Sequence, residues 1–176
     1  LDQQSPQVDS AINDLKRAQE SNSSAELSST FAEAYILATE QRIKSGQLVA
    51  AKEALQKSKS FGESTPKLTA VQRALADSFL HLAVVQADAN RIDKANVWLA
   101  KARGLGGTVE SLVATNNSLA KAHIRRADKL LANEDKDQAL VEIDKARSLD
   151  PRVKMTPAIA RLEFRLTFLK WNKYIK

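Results

Sequence analysis

Two histidines, several paired acids, one glycine cluster and a basic, aromatic C-terminal stretch are what this 176-residue chain offers to chemistry. His81 and His123 stand in no H-E-x-x-H or H-x-x-x-H spacing, the arrangements that put two ligands on one helical face, so no metal site is expected. With no cysteine in the chain, thiolate ligands, disulfides and thiol nucleophiles are excluded. No G-x-S-x-G presents an activated serine. Glu134, Asp135 and Asp137 fall where a helix should begin, a place where acids cap free amides and complement the positive helix end. The same run is too short for a calcium loop and lacks its central glycine. Gly104 to Gly107 reads GLGG, but with no strand before it and no G-K-[ST] it is a turn rather than a phosphate cradle. No catalytic, metal-binding or cofactor-binding residue is expected.

The C-terminal stretch is different. Residues 1–151 hold 20 Lys/Arg and 20 Asp/Glu. Residues 152–176 hold Arg152, Lys154, Arg161, Arg165, Lys170, Lys173 and Lys176 against Glu163 alone, so the whole net charge of +6 lies there. Arg161, Arg165 and Lys170 alternate with Phe164, Phe168, Trp171 and Tyr174, and these seven are candidate partner-binding residues. Three readings compete: a closing helix that packs Ile159, Leu162, Leu166 and Leu169 onto Leu130, Leu131 and Ile143; an aromatic face for a partner protein or a second copy; or a membrane-surface helix. The apolar residues occupy two faces, which counts against the last. A second basic stripe, Lys121, Arg125 and Lys129, follows i, i+4 spacing on one helix face. Glu142 and Asp144 are expected to compensate it, and nucleic-acid binding would need a broader uncompensated surface.

These residues are positioned by helices. Segments starting at Gly46, Asn90 and Glu134 read GQLVAAKEALQKSKSF, NRIDKANVWLAKARGL and EDKDQALVEIDKARSL. A shift of 44 residues superposes Ala51, Ala95 and Ala139, then Leu55, Leu99 and Ile143, then Ser58, Ala102 and Ala146, then Phe61, Leu105 and Leu149. Small, large, small at i, i+4, i+7 forms one helical stripe, and a period of this length marks stacked supersecondary units. Ala11, Leu15 and Ala18 repeat that spacing as a degenerate half unit over residues 7–20. The expected organisation is a half repeat at 7–20, hairpins at 28–62, 67–105 and 109–151, and a closing helix at 156–175. Ser24 or Ser28, Asp93, Asp135 and Thr156 are expected helix caps, Gly46 a left-handed stop, Asp150-Pro151 a terminator and Gly104–Gly107 a flexible joint. The helix from Lys67 to Asn90 is the most apolar, yet no unbroken run of 18 apolar residues occurs, and no span is expected.

ALVEIDKARSLDP, residues 139–151, resembles the second helix of a tetratricopeptide repeat with its closing proline. Ala139, Ile143, Ala146 and Pro151 match the small, large, small and proline positions; Ala95, Leu99 and Ala102, and Ala51, Leu55 and Ser58, match without the proline. The unit of 44 residues exceeds the family's usual 34, and the first helices keep its pattern poorly. The resemblance implies an all-α solenoid of stacked antiparallel hairpins with a right-handed superhelical tendency, and a scaffold that grips a partner on its concave face. Tyr35, Phe79 and His123, at equivalent first-helix positions, would be the anchors of that groove. The expected function is therefore non-enzymatic: a scaffold binding another protein or peptide, with self-association through the last helix as a further route. An anionic membrane surface or nucleic acid met by that helix is the alternative. The opening LDQQSPQ suits a mature exported bacterial envelope protein and equally an excised segment.

Overall fold

The computed structural model describes the backbone of residues 5–21, 25–61, 65–152 and 157–172. Over them the chain is all-helical: α1 (Ser5–Ser21), α2 (Ala25–Lys44), α3 (Leu48–Phe61), α4 (Pro66–Asp88), α5 (Ile92–Arg103), α6 (Val109–Ala132), α7 (Lys136–Leu149) and α8 (Pro157–Asn172). Alanine, leucine and long charged residues, the strongest helix formers, fill these elements. Two of the expected cap positions fall inside helices. Helix α2 begins at Ala25, so Ser28 lies inside it, while α5 begins at Ile92 and takes Asp93 into its first turn. An unforeseen cap opens α4: the Leu68 amide donates to Thr65 Oγ1 at 3.1 Å, with Pro66 at the first helical position, where it loses no bond. Asp135 caps α7 as expected, accepting from the Gln138 amide at 3.2 Å. Ser24 and Thr156 lie outside the described residues.

The 44-residue period is written into the backbone. Gly46, Asn90 and Glu134, 44 apart, have φ of 75°, 59° and 62°. At each, that residue's amide donates three residues back (to Ile43, Ala87 and Leu131) and the next amide five back (to Arg42, Gln86 and Leu130). This paired closure satisfies the carbonyls a helix end leaves free, and it requires the left-handed conformation. Glycine adopts that conformation without strain and asparagine tolerates it, but glutamate does so at a cost. Replacing Glu134 by glycine is therefore expected to raise stability by about 0.5–1 kcal/mol, and Gly46→Ala to lower it by a similar amount. Urea midpoints at constant slope would check both, and a destabilised E134G would mean that the Glu134 side chain makes a contact worth more than the strain.

The chain divides into two compact units, and α4 runs from one into the other. In the first unit, residues 1–79 and 102–108, α2 and α3 form an antiparallel hairpin and α1 packs on α2. Val8, Ile12, Phe31, Tyr35, Ala38 and Ala54 are its buried cluster. Asp9 pairs with Arg42 at 2.9 Å, and Ser58 Oγ donates to the Ala32 carbonyl at 3.0 Å. The glycine-rich segment here is tied down rather than loose. Gln72 donates to the Leu105 carbonyl at 2.8 Å, and Thr108 donates to Asp77 through its amide and its hydroxyl. In the second unit, residues 80–101 and 109–176, α6 and α7 form the equivalent hairpin and α8 packs on α6. Leu162 and Leu166 of α8 join Ala120, Ala127, Leu131, Ala139, Ile143 and Ala146 in one cluster, against which Leu130 packs.

Helix α4 is long and apolar enough to cross a membrane by length and composition. It holds no unbroken apolar run because Arg73, Asp77 and His81 interrupt it without pulling its mean hydropathy down far. Its apolarity has a use within the fold: Leu68, Val71, Leu75, Phe79, Leu80, Ala83 and Ala87 are all buried.

Candidate functional site

The three side chains expected to line a groove are inside the protein. Tyr35 is 4%, Phe79 0% and His123 6% exposed, so none presents a surface to a partner. The reason lies in the small residues around them. Ala32, Ala76 and Ala120 recur at the 44-residue shift, as do Thr39, Ala83 and Ala127, and small side chains let neighbouring backbones approach until the large side chain between them is enclosed. Tyr35 stacks with Phe61 at 5.9 Å between ring centroids. His81, by contrast, is exposed.

His123 is buried against a carboxylate. Its Nδ1 lies 2.6 Å from Glu142 Oε2, and Lys145 Nζ lies 2.8 Å from the other carboxylate oxygen. Burial acts to raise the Glu142 carboxyl; the hydrogen bonds from Lys145 and then His123 outweigh it and hold the group below its ordinary value of 4.5. Glu142 therefore does not compensate the Lys121–Arg125–Lys129 stripe. Asp144, the other expected partner, sits 3.5 Å from Arg147. Arg125 instead donates to the Ala87 carbonyl at 2.7 Å and to that of Asp88, a cation at the negative end of α4.

The 44-residue shift makes sense of this network. Lys57, Lys101 and Lys145 are equivalent, and so are Ala54, Trp98 and Glu142. Lys57 lies over the Tyr35 ring at 5.7 Å, Lys101 over the Trp98 ring at 4.2 Å, and Lys145 on the Glu142 carboxylate. One recurrent lysine position thus covers an aromatic face at 57 and 101 and a buried carboxylate at 145. A histidine–carboxylate dyad can move protons, but here it is enclosed, and enclosure denies a substrate the approach that general acid–base catalysis requires.

The open surface is on α8. Phe164 and Phe168 are 73% and 56% exposed and, at i, i+4, lie on one face, roughly opposite Leu162 and Leu166. Together with Leu131, Ala132, Glu134 and Arg165 they line an open groove of about 270 Å³. Arg161 is exposed beside them, and Arg165 is half-exposed and paired with Asp128. Arg147 of α7 bonds Glu163, pinning α8 in place. Of the other C-terminal candidates, Lys170 and Trp171 lie on α8, and Tyr174 lies outside the described residues. The apolar stripe of each repeat does not report the His123–Glu142–Lys145 network; its signal in the sequence is the recurrent lysine three residues after positions 54, 98 and 142.

No family model, curated protein or solved structure matches the chain.

Proposed function

We propose that this chain is a non-enzymatic interaction scaffold of tetratricopeptide-like helical hairpins that binds a partner protein segment on the outer face of α8. The observation that carries the reading is the exposure of Phe164 and Phe168 side by side at a groove floored by Leu131 and Ala132. Large aromatics left in water next to cations are the composition of interface anchors, where Phe and Arg are enriched and Lys is depleted. The recurrence of the same turn at 44-residue spacing supports the repeat reading, which remains an analogy of fold and not of activity. The partner implied is an amphipathic helix: apolar residues at i, i+3, i+4 would fill the groove and acidic flanks would meet the +6 segment.

The second reading, an anionic lipid or nucleic-acid surface, is favoured by the same charge. Salt separates them. Helical peptides selected by display on the immobilised chain should bind nearly as well at ~0.5 M salt as at ~0.15 M, where Coulombic attraction between exposed charges is largely screened. They should lose at least ~10-fold in affinity to the Phe164→Ala/Phe168→Ala chain. Peptides indifferent to that substitution would sink the reading. Anionic vesicles or oligonucleotides that bind at low salt and are released at high salt would replace it with the second.

A further inference from the structure

The open face of α8 carries opposite charges at its two ends. Arg161 precedes Phe164 by three residues and Phe168 by seven, spacings that put all three on one helical face. Leu162 and Leu166 are turned into the core with α6 and α7. The other arginine of α8, Arg165, is tied to Asp128. Arg161 is exposed, and among the described residues its guanidinium makes no ion pair or hydrogen bond. The contacts Asn117–Arg152 and Asp128–Arg165 advance together, so α8 runs in the same sense as α6. Glu134 lies just past the end of α6, six residues beyond Asp128. It therefore borders the groove at the C-terminal end of the Phe164–Phe168 stripe. It too is exposed, and its carboxylate has no partner among the described residues. Along the face the order is cation, two rings, anion.

A surface with that order is complementary to itself when reversed. Let a two-fold axis cross α8 between Phe164 and Phe168. Two copies then set their helices antiparallel, and four rings meet at the centre of the contact, where aromatic anchors contribute most. Arg161 of each chain comes to the end where the partner's Glu134 lies, so the symmetry forms the same ion pair twice. Parallel helices would instead set Arg161 against the partner's Arg161 and Glu134 against the partner's Glu134, which repel. The backbone adds a further sign. Where the earlier recurrences carry Gly46 and Asn90, a glutamate holds φ at 62°, so a carboxylate is kept at a position its own backbone disfavours.

We infer that α8 of one chain docks antiparallel on α8 of a second copy through Phe164 and Phe168, with Arg161 facing the partner's Glu134 at both ends. The contact is isologous and closes at two chains. The inference rests on the reading of α8 as an interaction surface and names its occupant as the same helix of another copy.

The test is charge reversal and its complementation. Arg161→Glu sets acid against acid across the axis, and Glu134→Arg sets base against base. Both positions are exposed, so far-UV circular dichroism should be unchanged. By sedimentation velocity at ~0.1 M salt, the wild type should pass from monomer to dimer as its concentration rises through the micromolar range. Each variant alone should dimerise at least ~10-fold more weakly, since two attractions become two repulsions. An equimolar mixture of the two variants faces every substituted side chain with an opposite charge, and should recover dimer to within ~3-fold of the wild type. Phe164→Ala/Phe168→Ala should remain monomeric. A wild type that stays monomeric overturns the inference; if it still binds helical peptides through Phe164 and Phe168, the proposed function survives that loss. A dimer indifferent to both reversals, a mixture no better than its components, or growth beyond two chains would also overturn it.

Discussion

Replacing Glu142 by alanine is expected to lower stability by about 3 kcal/mol, the scale seen when a buried polar side chain loses a charged hydrogen-bond partner. The loss falls mainly on His123, whose Nδ1 is 2.6 Å from the carboxylate and shut away from water. Lys145 is half-exposed and returns to solvent at little cost. The repeat supplies its own repair. At the 44-residue shift Tyr35 and Ala54 stand where His123 and Glu142 stand two recurrences later, and both are buried. A His123→Tyr/Glu142→Ala chain should therefore recover to within about 1 kcal/mol of the parent in urea denaturation, as apolar replacements of buried pairs commonly do. A double variant no more stable than Glu142→Ala alone would show that the α6–α7 hairpin does not share the shape of α2–α3. The acid dependence follows from the depressed carboxyl. A group whose pKa is lower folded than unfolded stabilises above its unfolded value and loses that contribution as pH falls through the folded one. The gap between the parent and Glu142→Gln should thus be full at neutral pH and shrink below 4.5.

Phe31→Ala is expected to cost about 4 kcal/mol, in the range for deleting an aromatic ring from a closed core. Phe31 is 1% exposed, its ring centroid lies 4.8 Å from that of Phe61 and 6.4 Å from that of Tyr35, and all three rings are near parallel. Around this stack sit Val8 and Ile12 of α1, so the cavity opens beneath α1 as well as between α2 and α3. Faster amide exchange in α1 than in α3 should accompany the loss. The same substitution at Phe164, with no enclosed neighbours to lose, should change stability by less than about 0.5 kcal/mol. If the two substitutions prove equally costly, Phe164 is not the open residue on which the binding surface depends.

What could be read from the sequence depended on whether a position answers to its own helix or to a neighbour. Helix existence, the turns at Gly46, Asn90 and Glu134 and the burial of Ala51, Ala95 and Ala139 were legible, because local periodicity and the 44-residue shift report them directly. The closing role of Leu162 and Leu166 followed from the same periodicity. The inward turn of Tyr35, Phe79 and His123 was not legible. Each aromatic or imidazole is compatible with a groove until the alanines at 32, 76 and 120 are seen to admit the next backbone. Equally hidden was the Glu142 network. An acid beside a lysine three residues on reads as a solvated helix pair, and only the histidine brought in from α6 shows that the acid is buried. Glu134 in the left-handed region was invisible for a further reason: its backbone is fixed by the helices it joins, against its own preference.

The turns set how far apart in the chain the contacts fall. The longest bridge described above, from Arg125 to Ala87, spans 38 residues, less than one 44-residue unit. Contacts this local make loop closure cheap and folding fast, in the microsecond-to-millisecond range of helical proteins. During synthesis at roughly 5–20 residues per second, each hairpin would reach its partners seconds before the following one is complete. The described helices are thus suited to assembling in the order in which they are made, α2 with α3 before α6 with α7.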